Sequence, residues 1–126
     1  MSKIEMIEQA RRLVEGLGGT LDLSDASFRK CRLEGVHLQS ARLMRSDFHG
    51  ADLTRAYLWF SDLTDANLSE ANLHAAMLIK ANLSGADLRG ANFDGANLAG
   101  ADLTDIHYDA ETTWPEGFTP PPSRHS

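Results

Sequence analysis

At 126 residues the chain has the length of one domain, and its formal net charge of −6 argues against nonspecific nucleic-acid binding through a basic surface. A single cysteine, Cys31, rules out an intramolecular disulfide. No apolar stretch is long enough to cross a membrane and no charged-then-apolar leader opens the chain, so a soluble cytoplasmic protein is the expectation.

The first expected element is a capping helix within residues 1–19. Ser2 followed by Glu5 forms a capping-box pattern, and Ile7, Ala10, Val14 and Leu17 recur at helical spacing. Gly16, Gly18 and Gly19 stop it. Lys3, Arg11 and Arg12 balance Glu5, Glu8 and Glu15, so the helix lacks the basic face of a membrane-surface helix and is assigned to covering one end of the domain's core.

From Leu21 the chain divides into fives without an insertion: LDLSD, ASFRK, CRLEG, VHLQS, ARLMR, SDFHG, ADLTR, AYLWF, SDLTD, ANLSE, ANLHA, AMLIK, ANLSG, ADLRG, ANFDG, ANLAG, ADLTD, IHYDA. These eighteen units end at Ala110. The third place is always Leu, Phe or Tyr, and the first is mostly Ala, otherwise Leu, Cys, Val, Ser or Ile. A period of five matches neither the 3.6 of a helix nor the 2 of a strand. It fits a polygonal coil in which each unit forms one side, with first and third residues inward and the second, fourth and fifth turned to solvent.

These units closely resemble the pentapeptide-repeat family, whose motif is a small residue, Asp or Asn, Leu or Phe, and two variable places. The resemblance implies an all-β solenoid, a right-handed quadrilateral β-helix with four units per coil, here about four and a half coils over residues 20–110. At about 4.8 Å per coil the rod is roughly 22 Å long. Coils bury their faces on one another, so the ends need covers. Residues 111–126 are expected to hold the second cover and a flexible tail. TTWPEGFTP, residues 112–120, resembles the segment that often follows the last coil in this family, with Trp114 and Phe118 over the open core and Pro115 ending the regular path.

Catalysis finds little support. His37, His49, His74 and His107 fall in outward places spread over three faces, His125 lies in the tail, and no nucleophile, phosphate-loop or metal-ligand motif occurs. No catalytic residue, cofactor or metal ligand is assigned. Cys31, in an inward first place, reads as a small buried thiol.

Function is therefore expected on the outside, where residues twenty apart stack. The first face carries Asp22, Asp25, Asp62, Asp65, Asp102 and Asp105 against Arg42 and Arg45. The second and third are nearly balanced. The fourth collects VHLQS, AYLWF, AMLIK and ANLAG, contains no carboxylate, and sets Tyr57 over Met77, Trp59 over Ile79 and Phe60 over Lys80. An apolar patch of Tyr57, Trp59, Phe60, Met77 and Ile79 marks a protein contact more often than bare surface. The expectation is a non-catalytic interaction or scaffold module using this wall. The partner is a second copy in a homodimer or another protein, with no direct nucleic-acid or membrane contact; alternatively the N-terminal helix or the tail covers the wall. The resemblance also offers a competing role, since some members mimic DNA and bind type II topoisomerases such as gyrase. The acidic face would carry that role, although Arg42 and Arg45 interrupt it.

Overall fold

The computed structural model describes residues 1–124, which leaves His125 outside the described residues. Helix α1 spans Lys3–Gly16. Its first turn is closed in both directions: the Glu5 N–H donates to Ser2 Oγ at 3.1 Å and the Ser2 N–H to Glu5 Oε1 at 3.0 Å. Ile7 is buried in the core, and Ile4, Ala10 and Val14 pack against it. Leu17 departs from the expected apolar face. It is the C-cap residue and is 80% exposed, because the chain reverses at once through Gly18, whose φ is +75°, and Gly19, whose N–H closes on the Val14 carbonyl at 2.7 Å.

Arg11 holds α1 to the first coil. Its Nε donates to the His37 carbonyl at 3.1 Å and its Nη2 to the Gln39 carbonyl at 3.0 Å. One coil further on, the corresponding carbonyls of Tyr57 and Trp59 accept from the Leu38 and Ser40 N–H groups at 2.8 and 2.9 Å. The guanidinium thus supplies the two donors that an earlier coil would have supplied.

Parallel pairing joins residues twenty apart, from Asp22 with Arg42 to Asp87 with His107. A representative rung runs from the Leu63 N–H to the Asn82 carbonyl (2.7 Å), from Asp65 to Ser84 (2.9 Å) and back from Asp62 to Ala41 (3.0 Å). Two local devices bend the chain into four sides. Every fifth residue from Asp25 to Asp105 is left-handed, with φ between 56° and 72°. In many units the second residue closes an Asx turn, as where Asp62 Oδ1 accepts the Thr64 N–H at 3.0 Å and Asn82 Oδ1 accepts that of Ser84 at 3.0 Å.

First and third places face inward as expected: Leu33 through Phe93 at the third place are fully buried, and Phe28 stacks on Phe48 with centroids 4.9 Å apart. The second place is not simply outward. Asp47, Asp52, Asp62, Asn67, Asn82 and Asp87 are half-buried, because their carboxyl or amide oxygen turns back onto their own backbone. Cys31 is also only partly buried, packed against the core.

The eighteenth unit keeps a buried Ile106 but loses the left-handed corner at Ala110, and the next pairing, Asn92 with Thr113, spans twenty-one residues. Trp114 then stacks on Phe93 (5.3 Å, 6°), meets Tyr108 edge-on and carries Phe118 on its other side at 5.4 Å. The segment after it is tied down through Arg124 rather than loose. Tyr108 Oη donates to the Pro121 carbonyl at 2.7 Å, and the Arg124 N–H donates to that of Ile106 at 2.8 Å. Tyr108 hydrogen-bonds from a third place, which repeat logic reads only as core. Among the described residues no helix is long and apolar enough to cross a membrane.

Candidate functional site: the fourth wall

The fourth wall departs from the rule that builds the other three. Where they place Asp or Asn at the second position in most coils, with single exceptions such as Arg32 and Arg42, this wall has His37, Tyr57 and Met77 in three successive coils before Asn97 restores the Asx turn, its Oδ1 accepting the Ala99 N–H at 3.0 Å. The replaced residues interact with each other instead. His37 and Tyr57 are stacked, centroids 4.5 Å apart and planes 6° from parallel, and Trp59 meets Tyr57 edge-on at 5.3 Å. His37 was not among the residues expected here, although it lies twenty before Tyr57 on the same face.

Exposure divides the five expected residues. Phe60 is 57% exposed, whereas Tyr57, Trp59, Met77 and Ile79 are half-buried. For Tyr57 and Trp59 the ring contacts with His37 and with each other account for the difference. Phe60 stands at a left-handed corner, φ +60°, a conformation costing a side-chain-bearing residue about 1–2 kcal/mol relative to glycine. Lys80 extends its Nζ to 5.7 Å from the Phe60 ring centroid, a cation–π approach on an otherwise uncharged surface. Of the two intramolecular covers, α1 bonds to this wall at its first coil, on the His37 and Gln39 carbonyls, and the C-terminal segment bonds to Ile106 and Tyr108 of the second side.

The acidic face is uneven. Arg45 clamps Asp25 through two bonds of 2.8 and 2.9 Å, and Arg42 approaches Asp22 at 4.0 Å, so its N-terminal half is neutralised. Asp62, Asp65, Asp102 and Asp105 have no ion pair among the described residues. Asp65 folds its carboxylate over Gly85, where any Cβ would collide with it. Asp62 and Asp102 each have one oxygen engaged by a threonine hydroxyl, Thr64 and Thr104, so less of their charge is free than a row of phosphates would offer.

Several of these carboxyls titrate below the usual aspartate range. The Thr104 hydroxyl and N–H hold Asp102 down, the Ser24 N–H and hydroxyl lower Asp22, Arg45 lowers Asp25, and Arg89 lowers Asp87. Groups whose folded pKa is depressed contribute stability above the unfolded pKa and lose it as pH falls through the folded one. Urea midpoints should therefore hold from pH 7 to about 5 and decline steadily below about pH 4, the ordinary aspartate value. A midpoint that rises on acidification would contradict these hydrogen bonds.

Elsewhere, His49 Nδ1 lies 2.7 Å from Ser69 Oγ, which donates onward to Asn67 Oδ1 at 2.5 Å. The serine proton thus points away from the imidazole, so this pair is not poised for nucleophilic attack. No cluster of three metal-ligating side chains occurs among the described residues.

The family profile described as Pentapeptide repeats matches in eight copies over residues 22–59 and 66–105. The chain belongs to the pentapeptide-repeat family. The four-sided coil is accordingly the right-handed quadrilateral β-helix of pentapeptide-repeat proteins. Among solved structures, a pentapeptide-repeat protein from Nostoc Pcc 7120 is 34% identical, covering 94% of this chain and 88% of that one at a TM-score of 0.74. One from the Arabidopsis thaliana thylakoid lumen is 31% identical over 74% of this chain and 68% of its own, at a TM-score of 0.61. QnrB1, a plasmid-mediated fluoroquinolone resistance protein, is 22% identical over 71% of this chain and 61% of its own; with a TM-score of 0.41 it carries no functional argument. Among curated proteins no relative matches the chain.

Proposed function

We propose that this pentapeptide-repeat protein is a non-catalytic interaction module that self-associates through its fourth wall, two copies meeting face to face across a twofold axis. One observation carries the reading: on this wall alone three successive coils replace the turn-closing Asp or Asn, with His37, Tyr57 and Met77. Residues that break a local folding rule at its own cost point to a role outside folding. The rings are large and already ordered by stacking, so little side-chain entropy is lost when a partner covers them. The wall is also free of carboxylates, so a twofold contact brings no like anions together. The shaft is filled with leucine and phenylalanine, which supports a non-catalytic role.

The topoisomerase alternative has less to recommend it, because arginines neutralise half the acidic face and hydroxyls engage part of the rest. The proposal is tested by Trp59→Asp, followed by gel filtration with light scattering and by circular dichroism. A buried charge at the centre of the contact should shift the protein from dimer to monomer, at least tenfold in Kd on the order of what one interface anchor contributes, with the spectrum unchanged. An unaltered dimer would place the contact elsewhere.

A further inference from the structure

The ladder ends unevenly at the C-terminal side. On the third side Thr113 continues it, accepting from the Phe93 N–H at 2.7 Å, and on the second Arg124 donates to Ile106. Between them lie Pro120, Pro121 and Pro122, which have no N–H to offer. On the fourth and first sides no further strand is added among the described residues. Among the described residues the N–H groups of Leu98, Gly100, Leu103 and Asp105 have no partner, nor do the carbonyls of Ala96 and Ala101. One coil earlier each equivalent is paired: Leu78 and Lys80 donate to Asn97 and Ala99 at 2.8 Å, Leu83 and Gly85 to Asp102 and Thr104 at 2.8 Å, and Ala76 and Ala81 accept at 2.9 Å.

Two open grooves run along this edge. One of about 650 Å³ lies between Ala96–Gly100 and the Pro115–Phe118 turn, and one of about 500 Å³ between Leu98–Thr104 and Phe118 with Pro121. Core side chains line their floors, with Leu98 6% exposed. The charged groups along them are Glu116, Asp102 and neighbouring Asp105; no basic side chain lines either groove.

We infer that this edge is a docking site for an extended segment of another protein, apolar at its inward places and basic at its outward ones, which adds itself as the next two sides of the coil. An unpaired edge is a ready template for strand addition, with main-chain bonds giving affinity and alternate side chains giving specificity. The preceding coil sets the register. The guest residue over Asn97 donates to the Ala96 carbonyl and accepts from the Leu98 N–H, and the residue two further on accepts from Gly100. The pattern repeats five residues later on Ala101, Leu103 and Asp105, with a glycine at the intervening corner. The residue between the two acceptors points inward over Leu98. A second copy of this chain fits less well, because a twofold end-to-end contact sets Asp102, Asp105 and Glu116 against their own images.

The test uses the full chain and a labelled decapeptide, acetyl-AKLKGAKLKG-amide, which carries the repeat's inward residues with lysine at the outward places. Fluorescence anisotropy should show saturable binding, and amide hydrogen exchange should slow at Leu98, Gly100, Leu103 and Asp105. Methylating the backbone nitrogen of the lysine before the first leucine removes the bond to Ala96 and should weaken binding about tenfold. Equal binding of the methylated peptide, absence of saturation, or protection confined to the acidic face would overturn the inference. So would finding those four amides already protected without peptide, since a second copy or the chain's own end would then hold the edge.

Discussion

Leu63→Ala is expected to cost about 2–5 kcal/mol, read as a fall in the urea unfolding midpoint. Leu63 is fully buried between Leu43 and Leu83, each also fully buried and each twenty residues away along the shaft. The walls around it are a hydrogen-bonded ladder, held for instance by the Leu63 N–H on the Asn82 carbonyl at 2.7 Å, so the coil cannot close in on the lost methyl groups. The cost should therefore lie toward the upper end of that range. Thr64→Ala, one residue along, removes the hydroxyl bond to Asp62 but keeps the backbone bond, and should cost only about 0.5–1 kcal/mol. Comparable losses at both positions would contradict the division into inward and outward places.

Arg11→Ala should cost about 2–4 kcal/mol by leaving the His37 and Gln39 carbonyls without donors at a partly buried junction. Arg11 itself is only 8% exposed, and Glu15 on the next turn holds its remaining arm at 3.0 Å. The loss should be local before it is global. Hydrogen exchange in α1 and across the first coil should speed up while the ladder below Tyr57 stays protected, as expected where each coil is stabilised by its neighbours. Arg11→Lys tests the geometry, since one ammonium cannot reproduce a planar donor pair set to two carbonyls. Lysine recovering the full stability would reduce Arg11 to a surface charge.

Much of the shaft is legible in the sequence, because from Leu21 to Tyr108 the third place is always Leu, Phe or Tyr and the first is small or aliphatic. The corners are only partly so. Glycine at 35, 50, 85, 90, 95 and 100 marks the left-handed place, but Asp, Lys, Arg and Phe adopt it equally, and propensity alone does not announce a lysine at φ +57°. Arg11 has no local signal at all. It reads as one of three balancing cations, and its partners lie 26 and 28 residues away in sequence. Leu17 misleads because helical spacing continues past the glycine where the helix itself ends. For the candidate wall, sorting the units by twenty brings Tyr57, Trp59, Met77 and Ile79 together. The half-burial of Tyr57 and Trp59 is hidden, since Tyr57 stacks on His37 and meets Trp59 edge-on, packing that a pattern of letters does not measure.

The proposed joining of two copies through the fourth wall can be read by sedimentation equilibrium of the unaltered protein, over loading concentrations spanning two orders of magnitude. The chain mass is 13.8 kDa. A reversible monomer–dimer equilibrium is expected, fitting twice the chain mass at the upper end, with Trp59→Asp monomeric when measured alongside. A single species at the chain mass through the whole range would contradict it.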